Sequence, residues 1–366
     1  MPRYPALRFR ALVQQLITPV FLFFLLLTLS SQYLQAQGSI TVTQQQFAVS
    51  LVPDKPVIML DEPVYLSFIV RNLTDKNLTV IVGGDYENSQ GRPESFSVIA
   101  VGTDGKPVAQ PDLGTGMGGM SWPQKLPAKR SYTFRLFLPH WATFSKAGKY
   151  FITAVRTLSI GKAKAQQADI PVKERTDIPV KAGANILVIP TDSAKMEKII
   201  ADSGNKMLGE KDPSVEATQI MMKIQDSRVI PYFLKEIKTR DYEKKFYALE
   251  ALSRFNDASA FAALKYGMGT RATDIDGDTT AALSEKSADN IRDCAAGALA
   301  NSPYPAAIPF LLTKRHDRSI GVRNTIIQAL EKMKPLEAIP ILQEMAHDDN
   351  PGVSDEAKRY LKMMQK

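Results

Sequence analysis

The sequence predicts a chain of two classes, an antiparallel β-sandwich followed by an α-solenoid. Three observations carry that prediction. The chain has 366 residues, which is enough for two domains that each bury a core of their own. Between Ile40 and about Pro190, short alternating segments rich in Val, Ile, Thr, Phe and Tyr recur between turn residues, as strands do. Beyond Ser193 the alternation gives way to helical periodicity that repeats every 31 residues.

The first element is an export signal. Arg3, Arg8 and Arg10 precede the apolar run ITPVFLFFLLLTLS, and a polar stretch then ends in Leu34-Gln35-Ala36-Gln37-Gly38. A basic end, an apolar segment and a small residue at the cut describe a secretory signal over residues 1–36, cleaved after Ala36. The run from Ala11 to Leu29 approaches spanning length, but Gln14, Gln15 and Pro19 interrupt it, so a retained anchor is the lesser reading. The expectation is an exported protein, periplasmic or extracellular, with no membrane insertion after cleavage. Cys294 is the single cysteine, so no intrachain disulfide forms, and no cysteine follows the apolar run to carry a lipid.

The formal charge of +8 falls to about +5 once the three signal arginines are removed. Residues 39–190 hold 17 Lys and Arg against 12 Asp and Glu, while residues 191–366 hold 26 of each. That balance is no nucleic-acid footprint, which needs basic residues concentrated on one face.

Residues 39–190 read as the sandwich. The candidate strands are FAVSLVP, EPVYLSFIVRNL, LTVIVGG, SFSVIAVG, SYTFRLFLP, KYFITAVRTLSI and ANILVIP, and seven strands at this spacing suit two packed sheets. Thr103-Asp104-Gly105-Lys106 is the turn of a hairpin, because Gly tolerates positive φ there. GTGMGGM, residues 114–120, reads as a mobile loop, since no Lys-Ser/Thr follows it to bind phosphate. DIPVK occurs at 169–173 and again at 177–181, either as a strand repeat or as an extended connector. Asn72-Leu-Thr74 and Asn77-Leu-Thr79 match glycosylation acceptors of an exported chain, a short motif that also arises by chance. The segments AGKYFITA and DEPVYLSFIVRNLTDKNLTV resemble immunoglobulin-like and fibronectin type III-like modules. That resemblance implies a tyrosine corner at Tyr150.

Residues 191–366 read as the solenoid. Ile308-Pro309 and Ile339-Pro340 lie 31 residues apart. The preceding helices keep step, with the apolar pairs Ile291/Leu299, Val322/Leu330 and Val353/Leu361 at the same offset. Upstream, Val229-Ile230-Pro231 and the trio Ala248, Ala251 and Leu252 fall into register if one insertion of 16 residues, at about 269–285, is allowed. Each unit is a helix, a turn, and a second helix with Pro in its first turn, where the missing N–H costs nothing. One such hairpin cannot bury its apolar face, whereas stacked hairpins can. The helix SAKMEKIIADSGNKML is expected to cap the stack.

The pattern D-R-S-I-G-V-R-N-T-I-I-Q-A-L followed by A-I-P-I-L resembles HEAT-like repeats, particularly the short kind of phycobilisome lyases. The resemblance implies a binding or assembly surface in which second helices line the concave face. The residues it assigns there are Tyr232, Lys235, Lys265, Tyr266, Thr313, Lys314, Gln343 and Glu344, and their partner is expected to be a protein, not a nucleic acid.

Candidate chemistry is sparse. No G-x-S-x-G, H-E-x-x-H, Walker loop or dinucleotide fingerprint appears. Cys294 has no nearby histidine in sequence and is expected to be an inert thiol. His316 and His347, 31 apart and each followed by Asp, read either as a polar ladder or weak metal pair, or as solvated histidines at helix C-termini. In the insertion, Asp274, Asp276, Asp278, the Thr280 carbonyl and Glu285 occupy positions 1, 3, 5, 7 and 12 of a calcium loop. Thr279 stands where the turn needs Gly, and Ala281 where a larger apolar residue is usual. A calcium site and a polar spacer are both open on this pattern.

The function these readings support is an exported, non-enzymatic binding or scaffold protein. Two rivals stand beside it: a small-molecule-binding enzyme or lyase-like accessory protein, and a protease-inhibitor-like module acting through a sandwich loop.

Overall fold

The computed structural model describes residues 42–44, 46–83, 95–111, 121–161, 175–209, 214–276, 281–331 and 335–364. The signal, the GTGMGGM loop, the first DIPVK copy, Asp278 and Thr280 lie outside these residues. The chain divides into two compact units between Thr191 and Asp192.

The first unit has strands β1 (Val42–Gln44), β2 (Phe47–Pro53), β3 (Val57–Met59), β4 (Tyr65–Asn72), β5 (Leu78–Gly83), β6 (Phe96–Gly102), β7 (Ser121–Leu126), β8 (Ser131–Phe137), β9 (Gly148–Gly161) and β10 (Arg175–Ile189). One sheet runs β1-β2-β4-β8; the other runs β3-β10-β9-β5-β7, with β6 also on β9. The sequence predicts antiparallel sheets throughout, but β3 pairs β10 in parallel, so the second sheet is mixed. The second DIPVK copy lies in the first half of β10, in antiparallel register to β9, so this copy is strand and not connector.

Alternation decides which side chains meet. Phe47, Val49 and Leu51 of β2 face Ile152, Ala154 and Leu158 of β9 within one core, all of them fully or almost fully buried. Ring contacts cross between the sheets, Phe68 to Phe96 at 5.2 Å and Phe96 to Phe134 at 5.5 Å. Arg156 takes a core position on β9 and is 3% exposed. Its guanidinium lies over the rings of Phe96 and Phe134, at 4.8 and 4.2 Å, which offsets part of its desolvation.

The expected hairpin is present. Gly105 has φ 74°, and Val108 N–H donates to the Ala100 carbonyl at 2.8 Å. Tyr150 forms the expected corner, its hydroxyl donating to the Lys146 carbonyl at 2.8 Å. In one sheet β4 lies between β2 and β8, and in the other β9 pairs with β10, β6 and β5, with Tyr150 near the start of β9.

Asn72 does not match the glycosylation reading. It is fully buried, and its amide nitrogen donates to the carbonyls of Lys76, Leu126 and Pro127 at 2.8, 3.2 and 3.1 Å. Its oxygen accepts from the Thr74 N–H and hydroxyl at 2.9 and 2.8 Å. With every polar site of the amide occupied, Asn72 braces the turn after β4. Asn77 is exposed and keeps an accessible amide.

The second unit has helices α1 (Ser193–Met207), α2 (Val215–Lys223), α3 (Ile230–Glu236), α4 (Tyr242–Leu252), α5 (Ala258–Met268), α6 (Ala281–Asn301), α7 (Ala307–Leu312), α8 (Ile320–Glu331), α9 (Pro335–Met345) and α10 (Pro351–Met364). Caps set several starts. Asp192, Ser214, Asp241 and Asp257 each accept from backbone N–H groups of the first turn of α1, α2, α4 and α5, as the preference for short polar caps requires. The first helices α2, α4, α6, α8 and α10 pack in succession. The residues that mark the period are the ones buried between them: Ile291, Leu299, Val322, Leu330 and Val353 are fully buried, while Leu361 is half-buried. Helix α1 packs on α2. There Gly204 is required, since a Cβ would sit 2.2 Å from the Tyr232 ring.

Two details differ from the periodic reading. Helix α9 begins at Pro335, so Pro340 lies inside it and not in its first turn. The insertion is only partly a loop. A 3-10 turn spans Ala272–Asp274, and residues 281–285 belong to the 21-residue α6, placing Glu285 on a helix.

A buried polar ladder ties the repeats together. Lys245, Arg292, Arg323 and Ser354 hold equivalent positions on successive first helices, and all are buried. Each donates back to a turn carbonyl: Lys245 to Ile237, Arg292 to Thr270, Arg323 to Asp317 and Ser354 to Ala346. Arg292 also reaches forward to Asp317 at 3.4 Å, and Arg323 to Asp348 at 2.9 Å. Each cation thereby has at least one hydrogen-bond acceptor, which offsets part of the cost of its burial.

Candidate functional site

The second helices and the turn just past α7 carry the eight residues assigned to partner binding. Lys235 on α3, Tyr266 on α5, Thr313 at the C-terminal end of α7 and Glu344 on α9 occupy equivalent places once the insertion is allowed for. Their surroundings differ. Tyr232 packs its ring on Gly204 of α1, with the Lys235 ammonium 6.0 Å from its centroid. Tyr266 is 51% exposed and lies over Lys245, whose ammonium is 5.3 Å from the ring. Burial pushes the Lys245 amine below the ordinary lysine range, with Asp274 opposing that shift. The Thr313 hydroxyl donates to the Phe310 carbonyl at 2.7 Å. Glu344 is held by Arg315 at 2.8 Å and by His316 at 2.9 Å. Gln343 is exposed, and its carbonyl lies 2.9 Å from His347 Nδ1.

The structure adds three aromatic residues that the pattern did not select. Phe261 of α5 stacks on Tyr304, which precedes α7, at 4.7 Å and 19°, and meets Phe310 of α7 edge-on at 6.0 Å. All three are half-buried. Lys265 lies 4.8 Å from the Phe261 centroid and 5.9 Å from that of Phe310; Lys314 lies 5.4 Å from the Phe310 centroid. Two of the predicted lysines thus sit over a three-ring cluster joining adjacent repeats. Phe310 follows the Ile308-Pro309 marker directly, so the repeat itself pointed near it. Tyr304 lies in a turn where no periodic signal operates.

The described residues of the calcium pattern do not converge. Asp274 accepts from the Arg271 N–H at 3.0 Å and closes its own 3-10 turn. That bond, with the nearby Arg271 charge, holds its carboxyl below the usual range against some desolvation. Asp276 pairs with Arg240 at 2.8 Å, and its N–H donates to the Arg240 carbonyl at 2.8 Å. Glu285 pairs with Arg318. Three carboxylates therefore serve three arginines, and among the described residues no group of His, Cys, Asp or Glu could hold a metal ion. The insertion is stapled to the turn before α4 by Arg240.

The remaining reactive side chains are engaged. His140 is buried in the first unit and packs edge-on against Phe137 at 5.1 Å. Cys294 points its sulfur at the Phe246 carbonyl, 3.8 Å away. Burial, with help from Glu250 and Asp293, pushes the thiol up to about 12, so the thiolate is scarce at neutral pH. A cleft of about 700 Å³ opens at the turn edge, lined by Arg315, His316, Arg318, Arg323, Glu344 and His347 among others. Arg315 and His316 pair with Glu344, and Arg323 with Asp348, within this lining.

No curated protein matches the chain significantly. Among solved structures, the CARDB domain of a Pyrococcus furiosus protein, described in complex with di-metal ions, is 12% identical with a TM-score of 0.19. The match covers 41% of this chain and all of that one. Two structures of Salmonella alpha-2-macroglobulin, one reacted with methylamine and one a Y1175G mutant, are 12% and 10% identical with TM-scores of 0.20. The matches cover 84% and 87% of this chain but only 23% and 26% of theirs. Residues 278–362, within the helical unit that follows the sheet-built first unit, match the family model of HEAT repeats, which supports HEAT-like repeats there.

Proposed function

We propose that this chain is an exported, non-enzymatic scaffold that binds a protein partner through the second-helix face of its solenoid, with the sandwich loops as an additional surface. The observation that carries the reading is the cluster of Phe261, Tyr304 and Phe310 with Lys265 and Lys314. Rigid, partly exposed rings bearing long cationic side chains are the residue types enriched where proteins bind proteins. HEAT repeats generally serve such contacts. Export rests on the basic, apolar and small-residue order of residues 1–36. The shielded thiol of Cys294 and the engaged histidines supply no evident nucleophile or general base, which favours the non-enzymatic reading.

The small-molecule alternative draws on the turn-edge cleft, whose volume falls within the range of ligand pockets. A photo-crosslinking residue at Tyr266 in the whole chain, exposed to the exported fraction, distinguishes the two. The scaffold reading expects crosslinks to a protein partner. No partner, together with stoichiometric binding of a small molecule in the cleft, would sink it.

A further inference from the structure

The two lysines of the aromatic cluster are arranged differently from the ladder and turn-edge arginines of this unit. The ladder and turn-edge arginines are each bound to a carboxylate: Arg240 to Asp276, Arg292 to Asp317, Arg315 to Glu344, Arg318 to Glu285 and Arg323 to Asp348. Lys265 and Lys314 have no carboxylate partner among the described residues. They rest on ring faces instead, within 4.8 to 5.9 Å of Phe261 and Phe310. A ring face orients an ammonium group without neutralising it, and it leaves the outward N–H donors free.

Resting on the scaffold reading, we infer that this cluster is a docking site for an acidic, extended segment of a protein partner. Carboxylates of the segment engage Lys265 and Lys314, and an aromatic or aliphatic side chain between them covers the exposed parts of Phe261, Tyr304 and Phe310. Charge complementarity selects this occupant. A basic segment would meet two unpaired ammonium groups, and a purely apolar one would bury them without compensation. The last repeat presents Glu344 in the equivalent row, already bound by Arg315 and His316. Lys265 of α5 and Lys314, just beyond the end of α7, meet on one ring cluster, so the site spans one repeat junction. Two points of attachment on adjacent repeats also suit an extended segment better than a single charged group.

The test uses the whole chain and a short fluorescent peptide that alternates Glu with Phe and Leu, read by anisotropy. Saturable binding is expected. Replacing Glu by Gln in the peptide, or Lys265→Gln with Lys314→Gln in the protein, should each weaken it about tenfold, as two partly exposed ion pairs would. Added salt should weaken it as well. Lys358→Gln, an exposed change on α10, should leave it unchanged, and an unaltered unfolding midpoint verifies that the double variant folds. Absence of saturable binding, or affinity indifferent to glutamate or to the two lysines, overturns the inference. If Tyr266 crosslinks a protein partner equally well in the double variant, the acidic-segment inference falls while the scaffold reading stands.

Discussion

Asn72→Ala is the sharpest test of how the first unit is held together, because the sequence motif and the folded environment assign that residue opposite roles. The side chain is fully buried and makes five hydrogen bonds. The bond to the Leu126 carbonyl is the fully buried one, and an orphaned buried acceptor costs about 1–3 kcal/mol. The other four lie where water reaches in part, and together they add about 1 kcal/mol. A loss of about 3 kcal/mol is therefore expected. Both tryptophans of the chain, Trp122 and Trp141, belong to this unit, so urea denaturation followed by tryptophan fluorescence reports it separately from the solenoid. With a slope of about 2 kcal/mol per molar urea, the midpoint should fall by about 1.5 M. A midpoint within about 0.3 M of wild type at that slope would refute the bracing role. So would a glycan on Asn72 of the folded protein, since all its amide positions are taken.

Three further outcomes are expected. Cys294 should resist thiol reagents at pH 8 in the native chain and react once in urea, and stoichiometric labelling of the native protein would contradict its shielding. Arg323→Met should lower solenoid stability, read by helical circular dichroism, by about 3–5 kcal/mol, because it leaves Asp348 buried without its partner. The same pair gives a pH dependence. Burial opposes ionisation of Asp348, but the Asn350 N–H and the Arg323 guanidinium outweigh it and hold the carboxyl below its usual range. A depressed folded pKa means the stabilisation is complete above the unfolded value near 4 and is lost as the pH falls through the folded one. Wild type should therefore lose stability below about pH 4 more steeply than Asp348→Asn; parallel profiles would dismiss the linkage. Calcium titrated calorimetrically into the whole chain should give no saturable heat, since Asp274, Asp276 and Glu285 already serve arginines. A one-site isotherm abolished by Asp276→Ala would reverse that expectation.

Much of the fold was legible because burial in repetitive structure is a local, periodic property. The seven long strands alternate along their length, and Ile291, Val322 and Val353 return every 31 residues because each fills the same place between successive helices. The short or irregular elements escaped. β3 has three residues, and β7 carries Pro123 on an edge strand, where neither alternation nor propensity accumulates. The start of α9 escaped for a related reason: Pro340 marks the repeat but not the helix boundary.

By itself, then, the sequence determined that strands come first and stacked helical hairpins follow, and which apolar residues face inward, since period 2 and period 31 can be read along a single line. The tertiary structure decided the polar pairings: Asn72 with Leu126 across 54 residues, Arg240 with Asp276, and Phe261 with Tyr304 and Phe310 beneath two lysines. These contacts join positions related only by how the chain returns on itself. Asp274, Asp276 and Glu285, which help spell a metal loop in one dimension, are therefore divided among separate arginines in three.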